Sequence, residues 1–282
     1  MNLSRDAPWI ILIVMKPEAS RSKSVSVSLT RAVASHEITL LPAAAYDARF
    51  TAEKDIVGFA FDVQTGCHAI GSDRGEDFFR LPNSLALTPR GCDIRSSSSG
   101  GGEYLLVSGP LVRASAETYI TNIQDPNALS AACHLRSWML GGALPDPMAA
   151  EAVISRLCEA ALGKPPRREK AARWMTQARF CSITEAIDEN LDGTLTVAGL
   201  AREVGLSASF LSRAFTAFCG QTPYDYVLSR RIKEARRLIA ETDLPLAEIA
   251  CCSGFSSQSH MTAIMKARIG VSPARINRHR LC

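Results

Sequence analysis

Apolar positions recur in short runs as far as Gly109 and then, after Asp125, in stripes of helical period. Val25, Val27 and Leu29 alternate with Ser24, Ser26, Ser28 and Thr30, a period of two that predicts a strand with one buried face. Ile56–Val63, Phe78–Leu81, Leu85–Leu87 and Tyr104–Val107 are further short apolar runs. Turn formers separate them: Thr65-Gly66, Gly71-Ser72-Asp73-Arg74-Gly75, Pro82-Asn83 and Pro89-Arg90-Gly91. The serine and glycine run 96–102 reads as a mobile hairpin tip. Short strands punctuated in this way predict a small sandwich or barrel.

After Asp125-Pro126, Leu129, Cys133, Leu135, Trp138 and Met139 make the apolar set of a helix. A second helix is framed by Asp146 as its cap, Pro147 in its first turn, and Gly163 with Pro165 at its end. Its face of Val153, Ile154, Leu157, Cys158 and Ala161 can pack on the chain's own sheet or pair with a second copy. The stretch Lys164 to Lys170 is basic and proline-bearing, as a linker would be. The expected organisation is a first domain over 1–165, a linker at 166–172 and a second domain over 173–282. The fold class is therefore α+β, a β-rich front followed by an all-α rear.

The rear domain carries one pattern twice. Leu200 to Ser207, Phe210 to Phe215 and Gly220-Gln221-Thr222-Pro223 are answered by Ile249 to Ser256, His260 to Met265 and Gly270-Val271-Ser272-Pro273. Each copy reads as a helix, a glycine turn and a second helix. In the first, Val197, Leu200, Ala201 and Val204 give the supporting helix its stripe, Gly205 makes the turn and Ser207 caps the next helix. There Leu211, Ala214, Phe215 and Phe218 point inward, leaving Ala208, Ser209, Ser212 and Arg213 outward as a groove-facing surface. In the second, Leu246, Ile249 and Ala250 support, and Ile264, Met265 and Ile269 point inward. Ser257, Gln258, Ser259, His260 and Ala263 face outward, with Gln258 and Ser259 toward base edges and Lys266 and Arg268 toward phosphates. A long helix from Tyr224 to Ala240 joins the two and carries Arg230, Arg231, Lys233, Arg236 and Arg237, which for any one of them reads as a solvated face.

Charge supports this division. Of the net +4, residues 1–165 contribute −2 and residues 166–282 contribute +6, a mildly acidic front and a basic rear. The nine cysteines include no Cys-x-x-Cys pair and read as buried, reduced thiols of a cytoplasmic protein. Trp9 to Met15 is apolar but far short of the ~20 residues a bilayer requires. It lacks a small-residue cleavage site, so the expectation is neither membrane insertion nor secretion.

With these motifs in place, residues 173–282 resemble the AraC/XylS family of bacterial transcription regulators. The resemblance rests on Ser207–Phe215, on Gly220 with Pro223, on Gly254-Phe255-Ser256-Ser257-Gln258-Ser259-His260, and on Gly270-Val271-Ser272-Pro273. It implies about seven helices, with recognition helices at 207–219 and 257–269 in adjacent major grooves of double-stranded DNA. It places base-edge or backbone contacts on Ser209, Ser212 and Arg213, and on Gln258, Ser259 and His260. It further implies a cupin-like front domain that senses an effector or dimerises, transcription activation, and RNA polymerase as a partner. The chain departs from the pattern at Ala263, where an arginine is common, and at Met265, where an aromatic is common. The first unit is then expected to supply more of the base discrimination.

No catalysis, cofactor or metal is expected: His36, His68 and His134 lie at no ligand spacing, and His260 has no partner ligand. Cys133-His134 lacks the Pro-Cys-His-Arg setting of the DNA-repair methyl acceptor that shares this kind of module. A metal-dependent cupin-type enzyme fused to a DNA-binding domain, and a non-specific DNA-binding protein, are the alternative readings. Effector, operator and oligomeric state are not legible at this level.

Overall fold

A computed structural model describes residues 28–33, 35–111, 118–141, 146–163 and 170–278. Its first part is a sandwich of two antiparallel sheets. The strands are β1 (Leu29–Val33), β2 (His36–Leu41), β3 (Tyr46–Thr51), β4 (Asp55–Ala60), β5 (Gln64–Ile70), β6 (Glu76–Arg80), β7 (Ser84–Thr88), β8 (Asp93–Ser98), β9 (Tyr104–Gly109) and β10 (Ile120–Ile123). One sheet has the order β1-β2-β9-β4-β7-β10 and the other β3-β8-β5-β6. The predicted runs become β4, β6, β7 and β9, with β4 closing at Ala60 rather than Val63. Residues 24–27 of the predicted first strand lie outside the described residues.

Two segments read as turns are not turns. Thr65-Gly66 lies inside β5, where the glycine lets the Ser97 carbonyl of β8 come close; a Cβ on Gly66 would sit 2.0 Å from that oxygen. Nor is the run 96–102 a hairpin tip. Ser96–Ser98 complete β8 between β3 and β5, and Gly101, Gly102 and Glu103 are buried behind it. Gly101, at φ +57°, backs onto the Ala44 carbonyl, which a Cβ would overlap at 1.8 Å. Polar serines make a strand here because the ladder bonds are backbone bonds.

Helices α1 (Pro126–Gly141) and α2 (Pro147–Leu162) cover the six-stranded sheet. The Asp146 carboxylate caps α2 by accepting from the backbone N–H groups of Met148 and Ala149. Val153, Ile154, Leu157, Cys158 and Ala161 are all buried in one core with Phe59, Leu85, Leu87 and Leu105. The apolar face of α2 is therefore spent on the chain's own sheet and is not left for a second copy.

Eight helices follow among the described residues: α3 (Lys170–Trp174), α4 (Gln177–Glu189), α5 (Val197–Glu203), α6 (Ala208–Cys219), α7 (Pro223–Glu241), α8 (Leu246–Cys252), α9 (Gln258–Ile269) and α10 (Pro273–Arg278). They enclose two cores that share α7. Tyr226 and Val227 close the first around Phe180 and Phe215, while Leu228, Ile232, Ala235, Leu238 and Ile239 belong to the second with Met261 and Met265. One continuous helix is thus the spine of both halves. The cysteines divide: burial pushes Cys158 up to about 11 and Cys219 up to about 12, but Cys67, Cys251 and Cys252 are exposed. No helix among the described residues is long and apolar enough to cross a membrane.

Candidate nucleic-acid interface

The two copies of the sequence pattern build the same corner. In the first, Leu206 N–H donates to the Ala201 carbonyl at 2.8 Å and Gly205 N–H to that of Arg202 at 3.2 Å. In the second, Phe255 N–H donates to Ala250 at 2.9 Å and Gly254 N–H to Cys251 at 2.9 Å. This paired bonding ends a helix on a left-handed residue, and Gly205 and Gly254 have φ of +68° and +77°. A serine then starts each second helix: Ser207 Oγ accepts from Phe210 N–H at 3.2 Å, and Ser257 Oγ from His260 N–H at 3.1 Å.

On α6, Leu211, Ala214 and Phe215 are fully buried, while Ser209 and Arg213 are exposed and Ala208 and Ser212 half-buried. On α9, Met261, Met265 and Ile269 are buried, while Ser257, Gln258, Ser259, Ala263, Lys266 and Arg268 are exposed. Met265 fills the core as expected. Ile264 is only partly buried, and the innermost place in that turn goes to Met261. Residues 261, 265 and 269 stand at successive four-residue steps, so the helical period already held that signal.

Three of the expected contact residues have partners within the chain. Arg268 Nη2 donates to Asp225 Oδ1 at 2.5 Å. Burial acts to raise the Asp225 pKa, but bonds from Arg268 and Thr222 hold it below the usual carboxylate range. Ser257 is committed to capping α9. His260 is half-buried, its Nδ1 2.9 Å from Ser256 Oγ and its ring edge-on to Phe255. Ser209, Arg213, Gln258, Ser259 and Lys266 remain the exposed polar set.

Of the five basic residues of α7, Arg237 lies on a solvated face and the other four are tied to neighbouring elements. Arg230 makes a two-pronged contact with Asp188 at 2.7 and 2.8 Å. Arg231 donates to the carbonyls of Leu191 and Gly193, and Arg237 bridges Glu234 and Glu241. Lys233 and Arg236 reach into the sandwich, to Asp62 at 3.1 Å and Glu103 at 2.7 Å. A helix tied to its neighbours through four basic side chains is a brace.

Residues 200–279 match the model of a family described as a helix-turn-helix domain. LumQ of Photobacterium leiognathi is 37% identical over 93 residues, which are 33% of this chain and 38% of that protein. The transcriptional activator NphR of a Rhodococcus species is 30% identical over 92 residues, 32% of this chain and 27% of its own length. The HTH-type transcriptional regulator ExsA of Pseudomonas aeruginosa is 33% identical over 75 residues, 27% of each chain. Residues 200–279 are a helix-turn-helix domain. Among solved structures, a transcriptional regulator with an AraC-type DNA-binding domain from Chromobacterium violaceum aligns at 26% identity and a TM-score of 0.35, over 37% of this chain and 93% of that one. The chain thus spans between 27% and 38% of the length of the three curated relatives named here.

The sandwich grips the helix-turn-helix domain at points that sequence reasoning missed. Gln124 Nε2 donates to the Phe218 carbonyl at the end of α6 at 2.8 Å, and Arg136 Nη2 to the Arg268 carbonyl at the end of α9 at 3.2 Å. Both occupy carbonyls that a helix leaves without a partner in its last turn, and the cation also suits the negative end of the dipole. Gly270, which caps α9, packs on Ser137, and Phe79 meets Phe180 edge-on at 6.4 Å. The sandwich therefore holds the rear of both second helices and leaves the start of each exposed.

Proposed function

We propose that the chain is a sequence-specific transcription regulator, an activator, that inserts the helices at 207–219 and 257–269 into successive major grooves of a promoter. The observation that carries this is the shared spine. At 1.5 Å per residue the 19 residues of α7 span about 28 Å, and both units are cored against it, so their spacing is fixed on the scale of one DNA turn, ~34 Å. Ser209, Ser212 and Arg213 read bases from the first helix, and Gln258, Ser259 and His260 from the second. Lys266 meets a phosphate. Ala263 offers no hydrogen bond, so the first unit carries more of the discrimination.

The protein acts in the cytoplasm as a homodimer, with RNA polymerase as its partner and with no catalysis. The sandwich supports control by a small effector, because it contains a cavity and grips the reading domain from behind. The domain limits proposed are 1–165 for the sandwich and covering helices, 166–172 for the linker, which runs into α3 at Lys170, and 173–282 for the reading domain. Competition binding tests the reading. A sequence selected from a random pool should resist excess random DNA at physiological salt by a factor on the order of 10³ or more. Equal displacement by any duplex would leave only a non-specific binder.

A further inference from the structure

Between the two sheets lies a cavity of about 100 Å³ that opens to solvent at its mouth. Its wall is mostly apolar, with Ala48, Phe50, Ile56, Ile94 and Leu106 among the lining residues. Among the described residues one charged side chain enters it. Arg80, the last residue of β6, is 8% exposed and lines the cavity beside Gln64, Tyr104 and Tyr119. Its Nη1 donates to Gln64 Oε1 at 3.2 Å and its Nη2 to the Tyr119 hydroxyl at 3.1 Å, while its Nε is buried with no acceptor. The guanidinium lies over the Tyr104 ring at 4.8 Å and the Phe78 ring at 5.2 Å.

What Arg80 lacks is a counter-ion. Among the described residues no carboxylate forms an ion pair with it; the buried acids beside Gly102 are committed elsewhere, Asp62 to Lys233 and Glu103 to Arg136 and Arg236. Tyr104 does not supply the charge either, since burial pushes its hydroxyl up to about 12 and keeps it neutral. A guanidinium is always protonated, and removing it from water without an opposite charge is heavily penalised. Arg80 is therefore poorly explained as a stabilising residue and well explained as half of a pair.

We propose that this cavity binds a small organic monocarboxylate, its acid group on the Arg80 guanidinium and its hydrocarbon or aromatic body against the apolar wall. One cation among lining residues that are otherwise uncharged balances one negative charge, so a phosphate dianion would bring surplus charge with nothing to meet it. The inference deepens the effector reading above, because it names the effector's chemistry. It also places the ligand next to the interdomain contact: Gln64, which shares Arg80, donates to the Gly102 carbonyl at 3.2 Å, one residue before Glu103.

The test is calorimetric titration of the full chain, without DNA, against aromatic and straight-chain monocarboxylates, phenylacetate and octanoate among them. Each acid is paired with its amide, and inorganic phosphate is a separate arm. At least one acid should bind at millimolar concentration or tighter, with its amide roughly ten- to a hundredfold weaker, the worth of a charge-assisted pair. Phosphate should not bind. Arg80→Met should erase the preference for acid over amide, and Arg80→Lys should keep part of it. If Arg80→Met does not fold, the acid-to-amide ratio on the unaltered protein decides alone. Amides matching their acids, phosphate binding in their place, or no acid binding at all would overturn the proposal. Since DNA is absent, a protein that binds acids but selects no DNA sequence would sink the regulator reading and leave this one standing.

Discussion

Glu103 accepts a hydrogen bond from Arg236 at 2.7 Å, and through it the sandwich holds the helix that joins the two reading units. The same carboxylate takes Arg136 at 3.2 Å and is itself only 4% exposed. Replacing it with glutamine leaves two arginines facing a group without charge. Loss of one partner of a fully buried pair costs about 3–5 kcal/mol; Arg236 is partly solvated, so Glu103→Gln should cost about 2 kcal/mol. Differential scanning calorimetry should show the transition falling by several degrees or splitting in two. An unchanged single transition would mean the contact does not couple the parts.

The acid side of the pH profile follows from two other carboxylates. Burial alone would raise the Asp62 pKa, but Lys233, the Glu103 backbone N–H and Arg230 together hold it below the usual range, and Arg268 and Thr222 do the same for Asp225. A carboxylate depressed in the folded state contributes stability that is present above its unfolded value, ~3.9, and lost as pH falls through the folded value. Stability should therefore be level toward neutrality and fall from roughly pH 5 downward. Urea midpoints across that range check this, and Asp62→Asn should flatten the acid slope.

The two turn glycines should differ. At Gly205 nothing lies within 4 Å of where a Cβ would be, so alanine meets only the left-handed backbone and should cost about 1–2 kcal/mol. At Gly254 the same atom would fall 2.2 Å from the Leu191 carbonyl and 2.6 Å from Arg231 Nε, so Gly254→Ala must displace backbone as well. Its loss should be clearly the larger in parallel denaturant titrations. Equal losses would mean that the loop at Leu191 yields freely.

On DNA, Arg213→Ala should cost roughly 1–3 kcal/mol and relax specificity at one or two base pairs. Lys266→Ala should weaken all duplexes alike and lower the salt slope by about one. Arg268→Ala should leave that slope almost unchanged, because Arg268 is held by Asp225, and should cost only about 0–1 kcal/mol of stability. A full unit off the slope for Arg268→Ala would return it to the phosphate contacts.

What could be read in the chain was what is local to it. The helix-turn-helix units are written in caps, turn glycines and helical period, all within a few residues, so Gly205, Ser207 and the matching Gly254 are legible in the chain, whereas Ser257, expected to face the groove, is the cap of α9. Strand β8 was missed because Ser96 to Ser98 carry no apolar alternation; backbone pairing with β3 and β5 makes the strand. The charge of α7 was visible, but its destination was not, since Arg236 meets an acid 133 positions away. Arg80 gave no signal in sequence, where it is one arginine at the end of an apolar run. Only the closing of two sheets around it makes it unusual.

The central claim is that both second helices read one face of DNA at a separation set by α7. It is tested most directly by inserting base pairs between the two half-elements of a selected binding site and measuring affinity. Five added pairs turn the second half-element to the opposite face and should reduce binding to the level of a single unit; a full turn, ~10 pairs, should not restore it, because α7 cannot lengthen. Affinity that tolerates the five-pair insertion would contradict the account, since the two helices would then not be braced together.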